Sequence, residues 1–473
     1  MLRPLLRLRD SLQCLLRRRA GVAAAVAAMA LAAACTGLDP APDAAHAARL
    51  SASGAAAPAF SAELADARSR DAAFEQAWRM VNERFYDPGF NGVDWEAVRL
   101  RYLPQVERAQ SDAAFYALLG RMAGELRDSH TRVYNARDYR NRLDYVVSTF
   151  GLRVAEVEGE VAVIQVLPDT GAALSGVRPG MVVVAVNGET APGRLARLRA
   201  EAPADVSPER RVRAIYGRLI ASHGGEPLLL DLRGAHGVAR YELQRAEREV
   251  PLVVTHRLLD GNVGYIAFNR FRPEAAADFG RALAALDGAD GLVLDLRGNP
   301  GGNIGAMLAI ARSFFPEARH VLTRRTRAGR TSGPAAEAWP QGRSAAPEVL
   351  IDASPHAWTR PLAILIDGYT ASSSELLATV LREQRGAWIV GRPSCGCVVA
   401  VRGGGYRLPG GGAIYVAESG FITPLGNRME GAGIRPDREV PLALADLREG
   451  ADRDLDAARD WIRQRTQRVA EEH

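Results

Sequence analysis

Five consecutive apolar residues, Leu362 to Ile366, run into a glycine-containing turn, and three serines (Ser372, Ser373, Ser374) then open an amphipathic helix reaching Gln384. A strand that turns this sharply into a helix places the first helical residues at the C-terminal edge of a sheet. There the free N–H groups and the helix dipole favour developing negative charge. A serine at that point can be a nucleophile whose oxyanion its own neighbours stabilise. The same residues also read as a capping box, Ser372 with Glu375 three positions on.

The strand belongs to a longer alternation. From Pro251, strands are expected at 263–268, 291–296, 362–366 and from 388, and helices at 274–286, 304–315 and 373–384, so residues 251–445 read as an α/β core. Apolar residues at helical spacing, among them Phe74, Trp78, Val81, Phe85, Phe115, Leu119 and Met122, predict an N-terminal helical domain over 66–147. Between them, 148–250 is β-rich, interrupted by an Arg- and Glu-rich insertion at 194–221. A terminal helix lies within 446–473.

Two compositional facts narrow the chemistry. No lysine occurs, so all 60 basic residues are arginine. A phosphate-binding loop of the Walker type, a kinase lysine, a pyridoxal Schiff base and a Ser–Lys dyad are all excluded, because each needs a lysine amine. An activated serine here must take His, Asp or Glu as its base. The formal charge of +5 is carried by residues 1–34, with six arginines and Asp10, and leaves the remainder neutral. Nothing in it argues for nucleic acid.

Residues 1–34 read as an export signal: Arg17, Arg18 and Arg19 precede an apolar, alanine-rich stretch too short to span a bilayer. Leu31 and the three alanines before Cys35 resemble a bacterial lipoprotein box, with Cys35 as the lipid attachment point. Cleavage after Ala45-His46-Ala47 is the other option. Either places the chain outside the cytoplasm, the first as a membrane-anchored periplasmic lipoprotein. Residues 35–65, rich in Ala, Pro, Ser and Gly, read as a flexible tether. Cys395 and Cys397 lack a third and fourth ligand at zinc spacing, so no metal site is expected, and they read as structural thiols or a strained local disulfide.

Three further segments carry candidate chemistry. Asp295 to Gly302 closes a strand with turn-forming residues; it is either a tight strand-to-helix loop or a source of oxyanion donors from Gly301 or Gly302, together with the N–H of Ser373. His130, between Ser129 and Thr131, is either a general base oriented by Ser129 or a hydrogen-bonded histidine at a domain junction. Glu430, before a glycine-rich turn, either holds a histidine, binds substrate, or is a solvated acid.

The order of these motifs resembles the tail-specific (carboxyl-terminal processing) serine proteases and the related tricorn core proteases. It comprises Asp128-Ser-His130, the β-rich segment, Asp295-Leu-Arg-Gly-Asn-Pro-Gly-Gly302, Ser372-Ser-Ser-Glu375 and Gly431-Ala-Gly-Ile-Arg-Pro-Asp437. The resemblance covers roughly 70–445. It implies a core of the crotonase and Clp protease type, a βα spiral, needing no cofactor, and polypeptide substrates, with an adaptor protein among the expected partners. It implies Ser372 as nucleophile, His130 as base, Ser129 and Glu430 as orienting groups, and Ser373 with Gly301 or Gly302 as oxyanion donors. The lysine of the processing type is replaced by Cys397, so the tricorn-like use of histidine is the expected one. Strand, short helix, Gly176-Val-Arg-Pro-Gly180, strand and Asn187-Gly188 in that order look like a PDZ domain, which implies peptide binding at Phe150, Gly151 and Leu152. The competing expectation is an inactive protease-fold protein that binds peptides or apolar ligands.

Overall fold

The computed structural model describes residues 67–202, 208–222, 225–327 and 348–471. The expected export signal, Cys35 and the tether lie outside the described residues.

The chain begins with helices α1 (Ala67–Arg84), α2 (Trp95–Val106) and α3 (Asp112–Gly124), then β1 (Arg132–Tyr134), α4 (Ala136–Leu143) and β2 (Val146–Thr149). Asp94 and Ser111 cap α2 and α3, each accepting a main-chain N–H of the first turn. The three helices do not close a core of their own. Phe74, Val81, Phe85, Phe115 and Leu119 pack with Tyr406, Leu408, Ile414 and Val416 from the C-terminal half of the chain. A helical apolar stripe requires cover but does not specify what supplies it, so the expected separate helical domain is here one wall of a shared core.

The inserted region follows: β3 (Leu152–Val157), β4 (Glu160–Val166), α5 (Gly171–Leu174), β5 (Val182–Val186), β6 (Glu189–Thr190), α6 (Ala191–Glu201), α7 (Pro208–Leu219), β7 (Leu228–Gly234), β8 (Gly237–Leu243) and β9 (Ala246–Glu249). Its antiparallel sheet has the order β3-β4-β5-β7-β8, so β3 is an edge strand. β2 pairs with β9 and ties the two ends of the insert together. The Arg- and Glu-rich segment expected as an interruption forms α6 and α7, whose Leu195, Leu198, Ile215, Tyr216 and Leu219 bury against Val154, Val163 and Leu230.

The core comprises β10 (Val254–Leu259), β11 (Val263–Phe268), α8 (Ala275–Ala285), β12 (Gly291–Asp295), α9 (Ile304–Arg312), β13 (Arg319–Arg325), β14 (Glu348–Ile351), β15 (Leu362–Ile366), α10 (Ser373–Arg385) and β16 (Trp388–Gly391). It continues through β17 (Val399–Val401), β18 (Tyr406–Arg407), β19 (Ala413–Tyr415), β20 (Ala417–Ile422), β21 (Arg438–Glu439), α11 (Leu444–Glu449) and α12 (Arg453–Glu471). The central sheet has the order β10-β11-β12-β15-β16-β21 and is parallel from β11 onward. Its apolar runs are uninterrupted because both faces are covered. Leu294 and Ile364 face α8, α9 and α10 through Phe279, Met307 and Leu377. Val293, Ala363 and Leu365 face Ala458 and Ile462 of α12. Arg297 holds the start of α12 to this sheet, bonding Asp295 at 2.6 Å and Asp452 at 2.7 Å.

Candidate active site

Because β12 and β15 are parallel neighbours, the turns that follow them emerge at one edge of the sheet. Buried Asn299 locks the two turns together. Its side-chain oxygen accepts the Gly301 N–H at 2.9 Å and its amide donates to the Phe268 carbonyl at 2.9 Å. Its own carbonyl accepts the Ala371 N–H at 3.1 Å and the Ser374 hydroxyl at 3.0 Å. The approach is close enough that a Cβ on Gly301 would sit 2.7 Å from the Ala371 carbonyl oxygen and 2.8 Å from both Ser372 Cβ and Ser373 N. Gly301 is also left-handed, at φ +89°. Glycine is required here on both counts.

Ser372 sits in that contact with φ 57° and ψ −120°, a conformation L-residues rarely hold without support from their surroundings. The support is Glu375, fully buried one turn into α10. Its carboxylate accepts the Ser372 N–H at 3.0 Å, the Ser394 hydroxyl at 2.5 Å, the Gly396 N–H at 2.8 Å and the Cys397 N–H at 3.0 Å. Burial raises its pKa, and these four bonds oppose the rise. Glu375 was legible in the sequence only as half of a helix cap; its partners at 394–397 are distant in the chain. Glu375→Ala would orphan four donors at once, so a loss of about 2–5 kcal/mol is expected in denaturant unfolding. A loss below about 1 kcal/mol would contradict this role.

The loop that Glu375 holds leads to the histidine. Cys395 and Cys397 are joined in a disulfide. The next residue, Val398, donates its N–H to Glu430 Oε2 at 2.6 Å. Glu430 also accepts from the Ser129 N–H at 2.8 Å and from the Ser129 hydroxyl at 2.9 Å, and Ser129 Oγ lies 2.6 Å from His130 Nδ1. Asp128 fixes this turn by accepting the His130 and Thr131 N–H groups at 2.7 and 2.6 Å. Ser372, Glu375, Glu430, Ser129 and His130 thus stand on one hydrogen-bonded path, joined through the Cys397–Val398 peptide.

Donor and acceptor rules set the proton positions on that path. An ionised Glu430 only accepts, so the Ser129 proton points to it and the Ser129 oxygen is left to accept from His130 Nδ1–H. The Nε2 lone pair is then free. Burial, followed by Arg132, Arg142, Arg210 and Arg213, lowers the His130 pKa to about 3. Burial raises Glu430 to about 7, against the bonds from Val398 and Ser129 and the nearby Arg210.

The remaining expected residues divide. The Ser373 hydroxyl donates to the Gly302 carbonyl at 3.0 Å. The N–H groups of Ser373 and Gly302 have no partner among the described residues, whereas that of Gly301 is taken by Asn299. Phe150 and Leu152 are buried in the core of the insert, and the Gly151 N–H donates to Thr149 Oγ1 at 3.0 Å. A cleft of about 710 Å³ instead opens beside Arg153 and Arg213, between β3, α7 and the turns at Gly298 and Tyr369.

Residues 262–440 match peptidase family S41, and residues 66–124 match the tricorn protease C1 domain. The chain is 28% identical over 411 residues to a carboxyl-terminal-processing protease of Synechocystis sp., covering 82% of this chain and 85% of that one. Among solved structures, mature CPAF shares the fold with a TM-score of 0.61 at 13% identity, covering 86% of this chain and 97% of that one. The photosystem II D1 C-terminal processing protease does so with a TM-score of 0.50 at 23% identity, covering 81% and 96%. The chain thus carries a peptidase family S41 domain over residues 262–440, which holds Ser372, Glu375 and Glu430, and a tricorn protease C1 domain over 66–124, just ahead of Ser129 and His130.

Proposed function

We propose that this chain is an endopeptidase that cleaves polypeptides through an acyl-enzyme on Ser372. The observation that carries the reading is the His130–Ser129–Glu430 relay, bonded by way of Val398 and Glu375 to the strained serine. His130 Nε2 takes the Ser372 proton as Oγ attacks the scissile carbonyl. The oxyanion forms beside the free N–H groups of Ser373 and Gly302. His130 then returns the proton to the leaving amine, and water repeats the sequence to release the acid product. Glu430, through Ser129, stabilises the imidazolium formed in each step. The disulfide loop occupies the position at which the processing type carries lysine, in keeping with a histidine mechanism.

Edge strand β3 and helix α7 form the groove for the substrate, as in the PDZ mode where a peptide adds as an extra strand. Export with anchoring through Cys35 fits the N-terminal sequence and would bring the enzyme to periplasmic polypeptides.

A pH profile on a quenched-fluorescent peptide tests the reading. Below its pKa of about 7, protonated Glu430 donates to Ser129. Ser129 then donates to Nδ1, and the remaining ring proton moves to Nε2, where it blocks the base. kcat/KM should therefore rise as pH passes upward through about 7, and the Glu430→Gln variant should lose that rise. A wild-type plateau extending down to about pH 5 would contradict the relay.

A further inference from the structure

The main-chain N–H groups from Ser394 to Val398 are all committed, and most of their acceptors belong to the site. Ser394 donates to the Ile434 carbonyl at 3.1 Å and Cys395 to the Thr370 carbonyl at 3.0 Å. Gly396 and Cys397 donate to Glu375, and Val398 to Glu430. This loop joins the carboxylate that supports Ser372 to the one that orients His130, and the Cys395–Cys397 disulfide closes it upon itself. It has no slack toward the Glu430 turn. The Gly396 carbonyl accepts the Gly431 N–H at 2.9 Å, and a Cβ on Gly396 would lie 3.0 Å from Gly433 N and 3.2 Å from the Gly431 carbonyl carbon. The two cysteines have different surroundings. Cys395 is 2% exposed, with its Sγ 3.6 Å from Arg213 Nη1. Cys397 is only partly buried. Thiol exchange needs one accessible sulfur and a second that leaves as a thiolate, and a neighbouring guanidinium favours the thiolate. Both conditions select Cys397 as the sulfur attacked and Cys395 as the one that leaves.

We propose that Cys395–Cys397 is a thiol-exchange site at which a dithiol reductant loosens this loop and turns the peptidase down. The switch rests on the peptidase reading and adds control to the same site. In the first step a thiolate of the reductant bonds to Cys397 Sγ, and the pair of electrons of the broken S–S bond leaves on Cys395 Sγ beside Arg213. The reductant's second thiolate then displaces Cys397 Sγ. The dithiol is thereby oxidised to a disulfide, and its two protons pass to the cysteines, which are reduced to thiols. Unbonded sulfurs cannot stay at bonding distance. As Cys395 and Cys397 separate, Gly396 between them shifts against the Gly431 turn, and the bonds to Glu375 and Glu430 lose their common frame. A displacement of about 1 Å at a catalytic group can cost on the order of 100-fold in rate.

The test uses the full oxidised chain, with dithiothreitol as the dithiol. Alkylation and peptide mapping should show the 395–397 bridge opening in the folded protein, and kcat/KM on a quenched-fluorescent peptide should fall about 10–100-fold in step with it. Removing the reductant and adding glutathione disulfide should restore both. Reduced glutathione, a monothiol, quenched with iodoacetamide, should be caught on Cys397 with Cys395 alkylated. Cys395→Ser with Cys397→Ser should keep the reduced enzyme's rate and ignore dithiothreitol, with thermal melts confirming that it is folded. Hydrogen exchange reads the loop without turnover: the main-chain N–H groups of 394–398, Ser372 and Ser129 should exchange at least about 10-fold faster after reduction. A bridge that resists dithiothreitol in the folded chain, an open bridge with kcat/KM or exchange unchanged, glutathione on Cys395, or a dithiothreitol effect surviving in the double serine variant would overturn the switch. Failure of the peptidase reading has a separate signature: the exchange response intact, with no hydrolysis and no fluorophosphonate adduct on Ser372 in the oxidised chain.

Discussion

Replacing Ser372 by alanine is expected to lower kcat for peptide hydrolysis by on the order of 10⁴–10⁶ while leaving the fold almost unchanged. The two outcomes separate because the serine carries its roles on different atoms. In the proposed mechanism its hydroxyl is the nucleophile, whereas the bond that holds the elbow runs from its main-chain N–H to Glu375 and survives the substitution. Unfolding free energy should therefore change by no more than about 1 kcal/mol. Substrate binding should persist too, since the groove wall is built from β3 and α7. Were Ser372 merely a helix cap, hydrolysis would stay intact while up to about 1 kcal/mol of stability was lost, so the rate of hydrolysis, not the unfolding titration, separates the two readings.

His130→Ala carries the second large effect, an expected loss of about 10²–10⁴ in kcat/KM. Removing the ring leaves the Ser129–Glu430 and Val398–Glu430 bonds in place, so the surrounding turn keeps its support. The main-chain N–H of residue 130 still reaches Asp128. The loss is thus assignable to proton transfer, and added imidazole should restore part of it. With the His130 pKa near 3, the wild-type ring is neutral throughout the ordinary pH range, so the limb near pH 7 reports Glu430. Activity of His130→Ala within about threefold of wild type would assign the base elsewhere.

Much of this was legible in the chain, for identifiable reasons. The apolar runs at 263–268, 291–295 and 362–366 announce a buried parallel sheet, and once β12 and β15 are neighbours, the glycines after one must meet the serine after the other. Ser129, His130 and Glu430, which the structure joins by hydrogen bonds, were singled out from motif order. What stayed hidden depends on long-range contact. Asn299 and Glu375 have unremarkable local signatures, and their importance comes from donors up to 75 residues away. The partner of the N-terminal helices could not be read because an apolar stripe is indifferent to the surface that buries it. The groove was expected at Phe150, Gly151 and Leu152. Phe150 and Leu152 are spent on the insert's core, and the open cleft lies one residue on, at Arg153. The resemblance implied Cys397 at the position of the processing-type lysine, but the place of its disulfide between Glu375 and Glu430 was not visible in the sequence.

The central claim is that His130 activates Ser372, and the most direct measurement is the rate at which a fluorophosphonate modifies the full-length chain, with the adduct located by peptide mapping. The mechanism predicts a single adduct on Ser372, formed at least about 100-fold more slowly in His130→Ala. An adduct on another residue, or equal rates in the two proteins, would contradict it.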